Sequence, residues 1–479
     1  MEEVSVNLGM IGLGVMGRNL VLNIERHGYS VAVWNREPEW VDQFLNDKAR
    51  GKRVLGAKRI EEFVGSLEKP RKIMMMVKAG QPVDWTLDLL TPHLDEADIV
   101  VDGGNSHFQD TRRRERELAA QGVRFLGMGV SGGETGALRG PSLMPGGERK
   151  AYQDLQPILE AIAAQVEDGP CVTYCGPEAT GHFIKMVHNG IEYGDMQLIA
   201  EAYGILKSVL QLESGELSDI FSEWNEGLLE SYLIEITAKI FTVMDEETGK
   251  PLIDLILDKA GQKGTGRWAS QVALDLGVAI PTIHSAIEAR ILSGLKEERV
   301  QASQSIRGPE TRLGRGDKKE IIDSVHDALY ASKICSYAQG MALIQAGSEQ
   351  YQWRVNLSEI SRIWKGGCII RARLLDRIQQ AYLKRPDLRN LMVDPDFLAG
   401  FAVAQPGWRK LISTAQSMGI PVPAMSSSLA YFDSYRSAHL PQNLTQAQRD
   451  FFGSHLYQRV DRPDSGPVHT DWVGITGQQ

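Results

Sequence analysis

Four polar side chains share one face of a single predicted helix. In the run Gly181 to Tyr203 (GHFIKMVHNGIEYGDMQLIAEAY), Lys185, His188, Asn189 and Glu192 fall at offsets of 0, 3, 4 and 7, with Tyr193 at the edge of that face. An amine, an imidazole and a carboxyl group brought to one pocket are groups that transfer protons. A solvent-facing stripe would show the same spacing. Here Ile184, Val187, Ile191, Leu198 and Ile199 surround the helix with apolar surface, so the stripe is expected to be buried, and buried polar groups need partners.

A second site lies near the start of the chain. The string GLGVMG (Gly12, Leu13, Gly14, Val15, Met16, Gly17) follows an apolar strand pattern and opens a helix running from Val15 to His27. The first glycine allows a tight turn, the second lets the backbone approach a pyrophosphate, and the third lets helix pack on strand, while the helix N-terminus attracts the anion. This predicts a dinucleotide site. An NAD site usually carries Asp or Glu at the end of the second strand for the ribose 2′-hydroxyl; this chain has Asn35-Arg36 there, and a guanidinium pairs with a 2′-phosphate, which favours NADP. Glu37 follows directly and leaves NAD as an alternative, since a carboxylate repels the phosphate and accepts from a ribose hydroxyl.

Several elements must position these two sites. From Val4 to about Thr173, short apolar runs alternate with charged amphipathic stretches, the pattern of strands and crossover helices in a parallel sheet. Strands are expected at Val6–Ile11, Ser30–Trp34, Ile73–Val77, Ile99–Val101, Arg124–Met128 and Val172–Tyr174. After Gly176-Pro177 the texture becomes helical, with helices expected over Thr180–Leu210, Leu217–Phe241, Ala286–Ser303, Lys318–Ala346 and Asn356–Ile378. The fold class is therefore an α/β N-terminal Rossmann-type parallel-sheet domain (residues 1–177), a large all-α domain (178–437) and a short C-terminal tail (438–479). The tail has little core of its own, and Phe451, Phe452, Tyr457 and Trp472 favour its being pinned against another surface.

Bulk properties narrow the function. The formal net charge of −9 provides no field to draw the molecule to nucleic acid or an anionic membrane, so anions must be captured by local basic pockets. No stretch approaches the roughly 18 to 20 apolar residues of a membrane span, and Met1-Glu2-Glu3 does not open a signal peptide, so a cytoplasmic location is expected. Cys171, Cys175, Cys335 and Cys368 show neither a disulfide framework nor a zinc spacing; they read as reduced thiols, and no metal site is expected.

Over essentially its whole length the chain resembles the decarboxylating 6-phosphogluconate dehydrogenases of the oxidative pentose phosphate pathway and gluconate utilisation. The resemblance rests on GLGVMG (12–17), VKAG (77–80), DGGNS (102–106), SGGETGALRGPSLMPGG (131–147), KMVHNGIEYGDMQLIAEAY (185–203) and KGTGRW (263–268), with Arg449 and His455 near the C-terminus. It implies oxidation of 6-phosphogluconate at C3 with reduction of NADP, then loss of C1 as carbon dioxide to give ribulose 5-phosphate. Lys185 would be the general base, its pKa lowered by desolvation beside other cationic groups, and Glu192 the acid that protonates C1 of the enediol, the carbon that was C2 of the substrate.

By the same resemblance Asn105, Ser131, Gly132, Gly133, His188 and Asn189 would hold the sugar acid, and Tyr193, Lys263, Thr265, Arg290, Arg449 and His455 its phosphate end. Arg449 and His455 would come from a partner subunit, making a homodimer with exchanged tails. Val77, Lys78, Ala79 and Asn105 would line the cofactor, with Met16 and Met144 near its nicotinamide ring. The chain departs from the family pattern at Glu37, where Thr or Ser is more usual. A non-decarboxylating β-hydroxyacid dehydrogenase is the alternative reading, against which stand KGTGRW, Arg449 and His455. A catalytically retired dinucleotide-binding protein would have no need of both Lys185 and Glu192.

Overall fold

The computed structural model describes residues 6–262, 264–309 and 318–476. Its N-terminal part is a seven-stranded sheet: β1 (Leu8–Ile11), β2 (Val31–Trp34), β3 (Val54–Gly56), β4 (Lys72–Met75), β5 (Ile99–Asp102), β6 (Arg124–Ser131) and β7 (Ser142–Gly147). The order is β3-β2-β1-β4-β5-β6-β7, parallel except for β7, which runs antiparallel to β6. Every residue of β1 and β5 is buried, as expected for parallel strands covered on both faces. Alternate side chains separate two cores: Met10, Val33, Met74 and Val101 face one, and Ile11, Ala32, Ile73 and Val100 the other. The chain reverses its direction of strand addition between β1 and β4, where α/β sheets of this kind bind ligands.

The helix expected over Thr180–Leu210 spans those residues and is buried on nearly all sides. One flank packs on β6 and β7, another on the 33-residue helix Lys318–Gln350. Three expected helices are instead broken. Leu217–Phe241 is two helices, Ser214–Trp224 and Tyr232–Phe241, because Asn225 Oδ1 accepts from the Ser231 amide and the Ser231 hydroxyl caps the second helix at Ile234 N. Ala286–Ser303 is divided between Pro281–Gly294 and Lys296–Ser305 at the non-helical Leu295. Asn356–Ile378 is interrupted by Gly366-Gly367, the latter at φ +63°, leaving Leu357–Ile363 and Leu374–Lys384.

Two strands of this sheet, β3 and β7, were not expected, nor was a separate two-stranded antiparallel sheet of Gln165–Val166 and Gly169–Pro170. The strand expected at Val172–Tyr174 makes only an isolated bridge, Val172 to Leu143. The four cysteines are buried and unpaired.

The described residues up to Ser428 form one compact unit, because the helix Thr180–Leu210 lies directly on the sheet; those from Leu429 form a second. This division falls within the helix Pro423–Tyr435 rather than at residue 438. The second unit has a polar core that composition did not suggest. Asp450, on the helix Gln442–Gly453, is fully buried and accepts from Leu456 N (2.9 Å), His469 Nδ1 (3.0 Å), Thr470 N (3.1 Å) and Trp472 Nε1 (2.8 Å). Burial pushes this carboxyl up, but the donors outweigh it and hold Asp450 well below the usual carboxylate range. Among the described residues no helix is long and apolar enough to cross a membrane.

Candidate active site

The position of Lys185 is decided by an absent side chain on the sheet. A Cβ at Gly129 of β6 would lie 2.4 Å from Lys185 Cβ, and one at Gly181 would lie 2.2 Å from the Met144 carbonyl. Backbone therefore meets backbone where helix crosses strand, and the lysine stem lies across β6 itself. Lys185 is buried at 6% exposure. Its Nζ is 3.4 Å from His188 Nδ1, and the Glu192 carboxylate is 3.7 Å from the same nitrogen. Amine and carboxyl thus flank one imidazole, on one side of the helix. His188 Nε2 lies 3.1 Å from Ser131 Oγ and Nδ1 lies 3.1 Å from Asn189 Oδ1.

Burial sets the proton affinities. It lowers the Lys185 pKa, while Glu192 and Cys368 oppose that shift. Desolvation depresses the amine, as expected from the sequence, but the charges that act on it are those of Glu192 and Cys368 rather than the expected cations. Burial, reinforced by the Lys185 charge, holds His188 well below the ordinary histidine value, so the ring is neutral. Burial also raises Glu192, against the pull of Lys185 and Arg290. A lysine biased toward neutrality and a glutamate biased toward its acid form are the two partners an acid–base reaction requires.

Ser131, Gly132 and Gly133 end β6 and start a helix, with both glycines at positive φ. They are buttressed from a segment that the sequence reading passed over. The Gly367 carbonyl would be 2.5 Å from a Cβ at Gly132, Trp364 stands edge-on to the His188 ring at 5.5 Å, and the buried Cys368 thiol, its pKa pushed up to about 12 by burial, interacts electrostatically with Lys185. The available signal was the pair of glycines in Lys365-Gly366-Gly367-Cys368, a turn inside an apparent helix. Met144 was expected beside the nicotinamide. It is fully buried instead, its sulfur accepting from the Trp364 indole, so it belongs to this buttress.

At the expected phosphate end, the Arg290 guanidinium lies 3.5 Å from the centre of the Tyr193 ring. Gly266 also approaches that ring, since a Cβ there would sit 2.7 Å from it, and Thr265 begins the helix Thr265–Asp275 as a buried residue. Burial lowers the Arg290 pKa, partly countered by Tyr193 and Glu192. Lys263 lies outside the described residues. Arg449 and His455 belong to the second unit, where Arg449 donates to Gln446 Oε1 (3.0 Å) and His455 stands edge-on to Phe452.

The glycine turn fits a dinucleotide. Gly12 has φ +95° and lies against the Met76 carbonyl, a Cβ at Gly17 would be 1.9 Å from the Gly12 carbonyl, and a Cβ at Gly14 would meet nothing within 4 Å. The first and third glycines are thus required by packing and the second by the open space a pyrophosphate occupies. Val15 is exposed, and Met16 packs on the sheet core. Asn35 Oδ1 accepts from Leu13 N at 2.9 Å, tying the end of β2 to the turn. Val77 and Ala79 are half-buried and Lys78 is exposed. Asn105 is exposed on the loop after β5, which the fully buried Asp102 shapes by accepting from Gly104 N (3.0 Å) and Ser106 Oγ (2.5 Å). Asp102 had been given no role.

Residues 7–176 match the family profile described as the NAD binding domain of 6-phosphogluconate dehydrogenase, and residues 181–472 match 6-phosphogluconate dehydrogenase, C-terminal domain. The chain belongs to the 6-phosphogluconate dehydrogenase family. It is 59% identical to a decarboxylating 6-phosphogluconate dehydrogenase of Synechococcus elongatus, covering 97% of this chain and 98% of that one. It is 56% identical to the NADP(+)-dependent, decarboxylating enzyme of Bacillus subtilis, covering 97% and 99%. Among solved structures, the 6-phosphogluconate dehydrogenase of Plasmodium falciparum, described in apo form, with its cofactor NADP+ and with its substrate 6-phosphogluconate, superposes with a TM-score of 0.94. That alignment has 45% identity and covers 97% of this chain and all of the other.

Proposed function

We propose that the protein oxidises 6-phospho-D-gluconate at C3, with reduction of NADP to NADPH, and releases C1 as carbon dioxide to leave D-ribulose 5-phosphate. The observation that carries this is the pairing of Lys185 and Glu192 about His188 Nδ1, with the amine shifted toward neutrality and the carboxyl toward its acid form. NADP, held at the glycine turn of Gly12, Gly14 and Gly17, would supply the acceptor for the hydride that leaves C3. Lys185 takes the proton of the 3-hydroxyl; as an ammonium it then polarises the 3-keto oxygen, and the C1–C2 bond breaks as carbon dioxide leaves. Glu192 delivers a proton to the enediol carbon that was C2 of the substrate and becomes C1 of ribulose 5-phosphate. Neutral His188, held by Ser131 and Asn189, fixes the geometry between them.

Ser131, Gly132, Gly133 and Asn105 bind the sugar acid, and Tyr193, Lys263, Thr265 and Arg290 the phosphate end. The protein acts as a cytoplasmic homodimer in which Arg449 and His455 complete the partner's site. Support for self-association comes from apolar side chains left in solvent on the helical domain, including Leu274 at 74% and Ile306 at 74% exposure.

The test is NADPH absorbance and carbon dioxide release on 6-phosphogluconate, with NADP and with NAD, for the unaltered protein and Lys185→Met. Equal amounts of both products are expected, with a loss of about 10²- to 10⁴-fold in the variant. Oxidation without carbon dioxide would favour a non-decarboxylating β-hydroxyacid dehydrogenase.

A further inference from the structure

Two cofactor-reading devices stand side by side after β2, and they are bonded to each other. Arg36 Nε and Nη2 both donate to Glu37 Oε1, at 3.0 and 2.8 Å, so the Nε–Nη2 edge of the fork that would grip a 2′-phosphate is closed on a carboxylate. Glu37 Oε2 accepts from Asn35 Nδ2 at 2.9 Å, and Asn35 in turn holds Leu13 of the glycine turn. Glu37 also stands 20 residues beyond Gly17, near the spacing at which dinucleotide domains carry the acid that binds a ribose 2′-hydroxyl. The Arg36 pair keeps its carboxylate below the usual range, so Glu37 is charged at neutral pH.

We infer that Glu37 is a specificity-determining residue that competes with the 2′-phosphate for Arg36, weakening NADP and keeping NAD a working ligand. A carboxylate offers about four lone-pair sites. Three are taken by Arg36 and Asn35, which leaves one on Oε2 for the ribose hydroxyl of NAD without disturbing the pair. A 2′-phosphate cannot use the Nε–Nη2 edge until Glu37 leaves it, and then meets a like charge nearby. The pair is solvent-exposed, 78% for the Arg36 side chain and 45% for Glu37, so opening it costs little and NADP is still admitted. The inference rests on the proposed function only in taking the glycine turn as the dinucleotide site.

The experiment uses half-cofactor probes, which separate this subsite from turnover. Binding of 2′,5′-ADP and 5′-AMP to the full-length protein is measured by calorimetry for the unaltered chain, Glu37→Gln, Arg36→Ala and the double variant. Glu37→Gln is expected to tighten 2′,5′-ADP by about tenfold and not to tighten 5′-AMP, and the gain is expected to collapse when Arg36 is absent. A 2′,5′-ADP to 5′-AMP affinity ratio unchanged in Glu37→Gln, with both probes binding, would overturn the role of Glu37 alone. A gain that persists in full without Arg36 would overturn the competition. Failure of every variant to bind either probe would overturn the dinucleotide site itself, and the inference with it.

Discussion

Replacing Gly129 by alanine tests whether the sheet places the reacting lysine. A methyl group at 129 would stand 2.4 Å from Lys185 Cβ and 2.9 Å from Cγ, against the 3.4 Å at which ordinary contact begins, so the lysine stem must retreat by about 1 Å. The helix has little freedom to absorb this, because Gly181 one turn earlier is already against the carbonyls of Met144 and Gly127. A misplacement of about 1 Å at a reacting group costs about a hundredfold in rate, equivalent to about 2.7 kcal/mol of barrier. Overpacking adds about 1–3 kcal/mol of lost stability. The assay is kcat with saturating 6-phosphogluconate and NADP, alongside thermal melting and NADP affinity by calorimetry. Since Gly129 is on β6 and the glycine turn follows β1, NADP binding should be unaffected. A variant with unaltered kcat would refute the reasoning, because the stem would then be free to find its position without the bare strand.

Other expectations follow from the buried charges. Lys185→Met should raise the melting temperature at neutral pH: the native amine binds its proton more weakly than the unfolded one, so burying it destabilises the fold below the unfolded pKa of 10.5. That advantage should shrink as pH rises toward 10.5, and melting curves with no pH-dependent difference would contradict the depressed pKa. Lys333 Nζ, on the helix Lys318–Gln350, meets Asp195 Oδ2 of the reacting helix at 2.6 Å, with both side chains buried, so Lys333→Met strands a carboxylate and should cost about 3–5 kcal/mol. Adding Asp195→Asn should recover much of that loss in chemical denaturation, and failure to do so would mean the pair is not coupled. Asp450→Asn cannot accept from all the donors that converge there, so the tail segment 442–476 should become sensitive to limited proteolysis. If the tail completes a partner's phosphate site, KM for 6-phosphogluconate should rise more than kcat falls in the same variant.

The parts of the site that could be read from the sequence are those made by neighbours along the chain. Helical periodicity alone brings Lys185, His188 and Glu192 together, and three glycines between strand and helix specify a phosphate turn, because each geometry is local and repeats identically wherever it occurs. The sheet was legible for the same reason, in buried strands that read as apolar runs, whereas β7 was not, since SLMPGG shows neither alternation nor a β-branched run. Helix ends were misjudged where a single capping contact, such as Ser231 on Ile234, outweighed a continuous apolar pattern.

The amino-acid sequence by itself determined which groups are present and which of them share a helix face or a turn. Tertiary structure alone decided how those groups behave as acids and bases. The depressed lysine, the neutral histidine and the raised glutamate all follow from desolvation by segments packed around the helix, among them β6 against Lys185 and Trp364 against His188, which lie far away in the chain. Proton affinity depends on what surrounds a group in three dimensions, and no spacing of letters along one helix carries that quantity.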